Sequence, residues 1–290
     1  MLMIIDDNLT LVKIEASDID ESGKCIIPYG VKTIGHYARP DYKDAALLKT
    51  VVIPNTVEKI SGCAFIDCKN LNHVVLPHSV SMIGGNAFEN CAIQHIVIPN
   101  SVTLMGPNVF RGNTSLELVQ LSNSLTYIPT AAFKDCQSLY EINIPNKVTS
   151  IGMSAFQNCI SLESAALPEK LFKIYDYAFA NCINLKEIKL PEALYSIDSY
   201  AFDNCSALSK VRIPDSVKRI HNNAFSHCLR LSSVSIPSHT TVSADAFKDA
   251  WAGLKIKERK SEKIDDLFQK AINSTMSENT YDEDLAASER

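Results

Sequence analysis

The sequence predicts an α/β repeat solenoid, a coil of short parallel strands and helical turns wound from near-copies of one unit. Three observations carry this. First, "IGMSAFQNCISLESAALP" (151–168) returns 23 residues on as "IYDYAFANCINLKEIKLP" (174–191) and again as "IDSYAFDNCSALSKVRIP" (197–214). Second, Phe65, Phe88, Phe110, Phe133, Phe156, Phe179, Phe202, Phe225 and Phe247 keep steps of 23 residues, with 22 twice. Third, apolar columns keep register with that Phe while the residues between them drift: Ile60, Ile83 and Ile128 before it, Leu139, Leu162 and Leu185 after it. A unit this short cannot bury its own apolar face, so stacked copies cover one another. The constant columns then become internal ladders, Phe on Phe and Cys on Cys.

Taken in chain order, residues 1–21 read as an N-terminal β-hairpin cap, because "MLMIIDDNLTLVKIEA" places two apolar runs about an Asp-Asp-Asn turn. Residues 22–257 hold about ten repeats of 22–26 residues. In each, "LxxVxIP" alternates apolar and polar positions, which suits a short strand, and Pro stops it. Every copy runs the same way round, so the strands must pair in parallel. The second half, "VxxIGxxAFxxC", suits a short extended piece and one turn of helix, with Gly84, Gly106 and Gly152 at the tight corner. The first coil has three extra residues near Pro40 and no Phe, and Trp251 with "GLKIK" makes a last, imperfect coil. Over 258–276, Ile264, Leu267, Phe268, Ala271 and Ile272 share one face of an amphipathic helix, which either folds back on the open end or docks a partner. Residues 277–290 are acidic and polar, the composition of a disordered tail.

The pattern "IPxxVxxIGxxAFxxCxxLxxVxIP", as it stands at 144–168, resembles the BspA-like (treponemal-type) leucine-rich repeat family over roughly 26–256. That resemblance implies a leucine-rich-repeat right-handed superhelix with a parallel β-sheet on the concave face. It also implies an interaction protein, since family members are typically surface or secreted proteins of bacteria and some protists. The start "MLMIIDDNLT" lacks a basic n-region, so no signal peptide is expected. The expected location is cytoplasmic, or outside the cell by a signal-peptide-independent route, with surface display less favoured. The acidic end loosely resembles the C-terminal signals of type IV secretion effectors.

A net charge of −5 offers no basic field for nucleic acid, and no apolar run is long enough to span a membrane. Nine cysteines suggest metal or disulfides, but Cys68, Cys91, Cys136, Cys159, Cys182, Cys205 and Cys228 each sit three residues after a Phe. That spacing lines the thiols up one per coil instead of converging them on one point. They are read as buried structural thiols. Asn113 replaces Cys in one copy, which makes sense if the column donates a hydrogen bond to a neighbouring backbone turn. His227–Cys228 is the pair most like a nucleophile, yet Cys228 belongs to the inward column. No nucleotide loop, G-x-S-x-G or H-E-x-x-H is present. No enzyme, no cofactor and no metal site is expected.

The strand residues flanking the buried middle position face outward in two columns, and they are the candidate partner-binding residues. They comprise Val52, His73, Val75, His95, Val97, Leu118 and Glu141 in the first half, and Glu187, Lys189, Lys210 and Arg212 in the second. The first half offers an apolar stripe with two adjacent histidines; the second is charged. Strands about 4.8 Å apart would carry these columns over roughly 40 Å, enough for a protein partner. The expectation is a monomeric, non-catalytic protein-binding scaffold, a bacterial effector being one form of it. The alternative is a surface adhesin binding matrix or carbohydrate. A carbohydrate face should show stacking aromatics, and these two columns have none.

Overall fold

The computed structural model describes residues 4–260, and they form a leucine-rich-repeat solenoid of about 11 turns with parallel strands and little helix. The coils contribute strands of three to five residues, Glu187–Ile188 alone among the described ones having two, to one ladder, and two-residue strands to another. The longer strands begin with Lys24–Ile26, Thr50–Val52, His73–Val75 and His95–Val97 and end with Ser233–Pro237 and Lys255–Arg259. The shorter ones run from Thr33–Ile34 to Thr241–Val242. Pairing is parallel and in the register of the repeat: Val51 opposes Val74, and Ile151 opposes Ile174, which opposes Ile197 in its turn.

Each turn of the coil has a sequence reason. Pro ends the longer strand, and its carbonyl accepts from the residue three on, as Pro99 does from Val102 N–H at 2.9 Å and Pro145 from Val148 N–H at 2.9 Å. After the shorter strand, the chain passes through the left-handed region two residues before and two after each column Phe from Phe65 to Phe225. Examples are Asn86 and Asn90 around Phe88, and Ser154 and Asn158 around Phe156. Such a chain cannot continue as a helix, so the regular helical content among the described residues is two 3-10 turns, Ala16–Asp18 and Ala45–Leu47. Alternating hand also turns alternate N–H groups to one side. Cys63, Phe65 and Asp67 N–H donate to Gly85, Ala87 and Glu89 carbonyls of the next coil at 2.9, 2.8 and 2.9 Å. This third ladder explains the Asn and Asp residues two after Phe, because these side chains tolerate the left-handed region best. They also link coils: Asn158 donates to Asp135, Asn181 to Asn158 and Asn204 to Asn181, at 2.6, 2.7 and 3.0 Å.

Gly84 and Gly106 do not serve as left-handed corners; their φ is not positive. They are required by the neighbouring coil, since a Cβ on Gly84 would lie 2.3 Å from Gly62 N and one on Gly106 2.2 Å from Gly85 N.

The core is one continuous spine. Phe65 through Phe225 are fully buried, and from Phe65 to Phe247 neighbouring rings stack at 5.2–5.7 Å with planes within 2–14°. Beside it each column thiol from Cys91 to Cys228 donates to the Phe carbonyl of the preceding coil, as Cys159 to Phe133 and Cys182 to Phe156 at 3.2 Å. Asn113 fills the same role more completely: its amide donates to the Phe88 and Phe110 carbonyls at 2.7 and 2.9 Å and its oxygen accepts from Ile93 N–H at 3.2 Å.

At the start, Ile4–Ile5 pairs antiparallel with Thr10–Lys13, and Thr10–Lys13 lies parallel on Thr33–Ile34. Asp6 Oδ1 accepts from Asn8 and Thr10 N–H across the turn. At the other end, Lys255–Arg259 pairs with Ser233–Pro237, so residues 258 and 259 belong to a strand and not to the expected helix. Residue 260 follows outside any element, and residues 261–276 of the expected helix and the 277–290 tail lie outside the described residues.

Candidate functional site

The longer strands present their first and third residues outward because the middle residue is buried: Val51 is 1% exposed, Val74 5% and Ile96 3%. The parallel register therefore aligns His73 with Thr50, Leu118 with His95 and Gln120 with Val97. Val75 and Val97 stand 60% and 57% exposed, although each belongs to a regular strand.

These outward rows form a groove of about 1010 Å³. Of the residues expected to bind a partner, it gathers His73, Val75, His95, Val97, Leu118 and Glu141. Val52 lies on the same ladder before the groove, and Glu187, Lys189, Lys210 and Arg212 lie beyond it; all five are exposed. Arg212 Nη1 is 2.6 Å from Glu192 Oε1, a half-exposed pair of small energetic weight. Lys189 and Lys210 have no ion-pair partner among the described residues.

Sequence reasoning missed the groove's second wall. Pro99, Leu121, Ile144 and Pro145 from the turns after the strands close it, together with His78, Asn123 and Asn146. The signal was available: Pro99 and Pro145 stand two residues after the strands His95–Val97 and Glu141–Asn143, and each carbonyl ties the chain back three residues on, so the turn must stand beside the strand it follows.

The floor of Val75, Val97 and Leu118 is apolar, and Glu141 is the one carboxylate in the lining. The Gln120 and Asn143 side chains make no hydrogen bond among the described residues. A free carboxamide offers two donors and an acceptor, the complement of a peptide group. Such a surface suits an extended polypeptide with apolar side chains.

The Cys–His pair is not arranged for chemistry. Cys228 is fully buried and donates to the Phe202 carbonyl at 3.2 Å, and burial pushes its thiol up to about 12. His227 faces outward, its Nδ1 2.8 Å from Asp203 Oδ1. Burial raises the other column thiols as well, Cys68 to about 12. Among the described residues no group of three or more His, Cys, Asp or Glu could hold a metal ion, and no helix is long and apolar enough to cross a membrane.

A family model described as "BspA type Leucine rich repeat region (6 copies)" matches residues 32–163 and 149–266. No curated protein matches the chain. Among solved structures, a leucine rich cell surface protein from Faecalibacterium prausnitzii is 22% identical, with 90% of this chain and 93% of that chain covered and a TM-score of 0.41. The pneumococcal vaccine antigen PcpA is 20% identical over 88% of this chain and 82% of its own, with a TM-score of 0.45. The T. pallidum leucine rich repeat protein is 24% identical over 67% and 72%, with a TM-score of 0.42.

Proposed function

The chain belongs to the BspA-type leucine-rich repeat family, and from that premise we propose that it is a non-catalytic scaffold holding an extended segment of a partner protein in the groove over Val75, Val97 and Leu118. One observation carries the proposal: exposed valines form the floor of a 1010 Å³ groove whose carboxamides have no partner among the described residues. Strand propensity alone would explain the valines but not the free amides beside them. The groove spans strands His73–Val75, His95–Val97, Leu118–Gln120 and Glu141–Asn143. At about 4.8 Å per strand that is roughly 15–20 Å, the length of an extended hexapeptide. The apolar floor gives affinity by burial, and the carboxamides fix the direction and register of the bound backbone.

The test is selection of peptides from a random displayed library on the full chain, repeated with Val75→Asp/Val97→Asp. Apolar peptides should be enriched on the parent and lost on the variant, with the thermal midpoint little changed because both positions are exposed. Peptides that bind the variant equally well would refute the groove. Lys189→Glu/Lys210→Glu/Arg212→Glu provides the contrasting arm. If that triple change, and not the valine pair, abolishes binding, the charged half is the site. An effector role and signal-peptide-independent export extend the same proposal; fractionation of the producing cell, with and without residues 277–290, tests them.

A further inference from the structure

A different face of the same coils departs from the repeat. Just before the two-residue strands stand Ser81, Thr103, Thr126 and Thr149, and just after them Gly84, Gly106, Pro129 and Gly152. In the next three coils the same positions hold Phe172, Tyr195 and Lys218, and Tyr175, Asp198 and His221. Stacking does not demand the change: Ile151, Ile174, Ile197 and Ile220 continue the buried ladder at 0% exposure. Two outer columns thus change together, in the same three coils, above an unchanged core.

Phe172, Tyr195, Lys218, Asp198 and His221 line a second groove of about 590 Å³, together with His239 and Thr241 from the following coil. Phe172 and Tyr195 stack at 5.1 Å and form an apolar wall. On its floor the Asp198 carboxylate, 12% exposed, accepts from Ser196 Oγ at 3.0 Å and lies 3.1 Å from Lys173 Nζ, with His221 Nε2 3.8 Å away. Lys218 and Arg219 line the same groove with no ion-pair partner among the described residues.

We propose that this groove binds a carboxylated saccharide. A carboxylate has about four acceptor sites, and Ser196 and Lys173 leave some of those on Asp198 for sugar hydroxyls. Arg219 presents a planar fork that matches a carboxylate, with Lys218 beside it. The aromatic wall suits the C–H face of a pyranose ring. A phosphate ligand would set a denser negative charge against Asp198, whereas a uronic or sialic acid brings one carboxylate and several hydroxyl donors. The inference is independent of the peptide groove, which lies on the other ladder.

Saturation-transfer NMR and titration calorimetry on the full chain, with glucuronate, N-acetylneuraminate, glucose and inorganic phosphate as probes, test it. One or both acidic sugars should bind in the millimolar range or tighter, and glucose about tenfold more weakly. Arg219→Ala and Tyr195→Ala, both at exposed positions, should each weaken acidic-sugar binding about tenfold. Val97→Asp should leave it unchanged. The proposal is overturned if neither acidic sugar binds, if glucose binds equally, if phosphate competes at equal concentration, or if Arg219→Ala has no effect.

Discussion

The buried thiols should make this protein unusually sensitive to alkali. Eight cysteines, Cys25, Cys68, Cys91, Cys136, Cys159, Cys182, Cys205 and Cys228, are buried, and burial raises each thiol above its ordinary value of 9.0. Below pH 9 both the folded and the unfolded chain keep these protons, and the thiols contribute no pH dependence. Above it the unfolded chain loses them while the fold retains them. Stability therefore falls as pH rises, until the folded thiols themselves ionise, near 12 for Cys25, Cys68 and Cys228. Well above pH 9 each thiol contributes a slope of about 1.4 kcal/mol per pH unit, so eight together give roughly 11 kcal/mol per unit. That approaches the whole stability of an ordinary domain, about 5–15 kcal/mol. The urea midpoint, measured under reducing conditions, should hold to about pH 8.5 and collapse within about 1–2 units above it. Tyr and Lys also titrate there, so the decisive comparison is Cys159→Asn/Cys182→Asn, which copies the natural choice at Asn113. This variant should show a shallower slope by about two protons. A midpoint flat from pH 8 to 10.5, or a slope indifferent to the cysteine changes, refutes the reasoning.

Three further outcomes are expected. Phe156→Ala removes a fully buried ring stacked on Phe133 and Phe179, and should lower unfolding stability by about 3–5 kcal/mol in urea titration. Asn113→Ala leaves the Phe88 and Phe110 carbonyls and Ile93 N–H without their side-chain partner, at a cost of about 3 kcal/mol, whereas Asn113→Cys should recover part of it; equal stability of all three proteins would show that the column's hydrogen bond is immaterial. Iodoacetamide with mass-spectrometric readout should label half-buried Cys63 in the native chain and the eight buried thiols only after unfolding; rapid native labelling of Cys159 or Cys182 would contradict the buried ladder.

Particular columns show what could be read in advance. Phe65 to Phe247 at steps of 22 or 23 allowed no economical arrangement but a shared spine, and the rings do stack. The exchange of Cys for Asn113 pointed to a hydrogen bond to a neighbouring turn, and both residue types make it. The function of Gly84 and Gly106 was misjudged, because the space denied to a Cβ is set by a coil more than 20 residues away. The second groove escaped for the same reason. Phe172, Asp198 and Arg219 look like ordinary variation when each coil is read singly.

Repetition alone determined the solenoid, the parallel register and the buried columns, since a unit of about 23 residues can hide its apolar side chains only against its own copies. It also marked which strand residues point outward. Which of those residues act together was decided by the stacked coils. Only there do the Pro turns rise beside His73, Val75 and Val97 to wall a groove, and only there do Tyr195, Asp198 and Arg219 come to share another. The physical reason is that burial is a property of each column separately, whereas a binding surface exists only in the distances between columns and between coils.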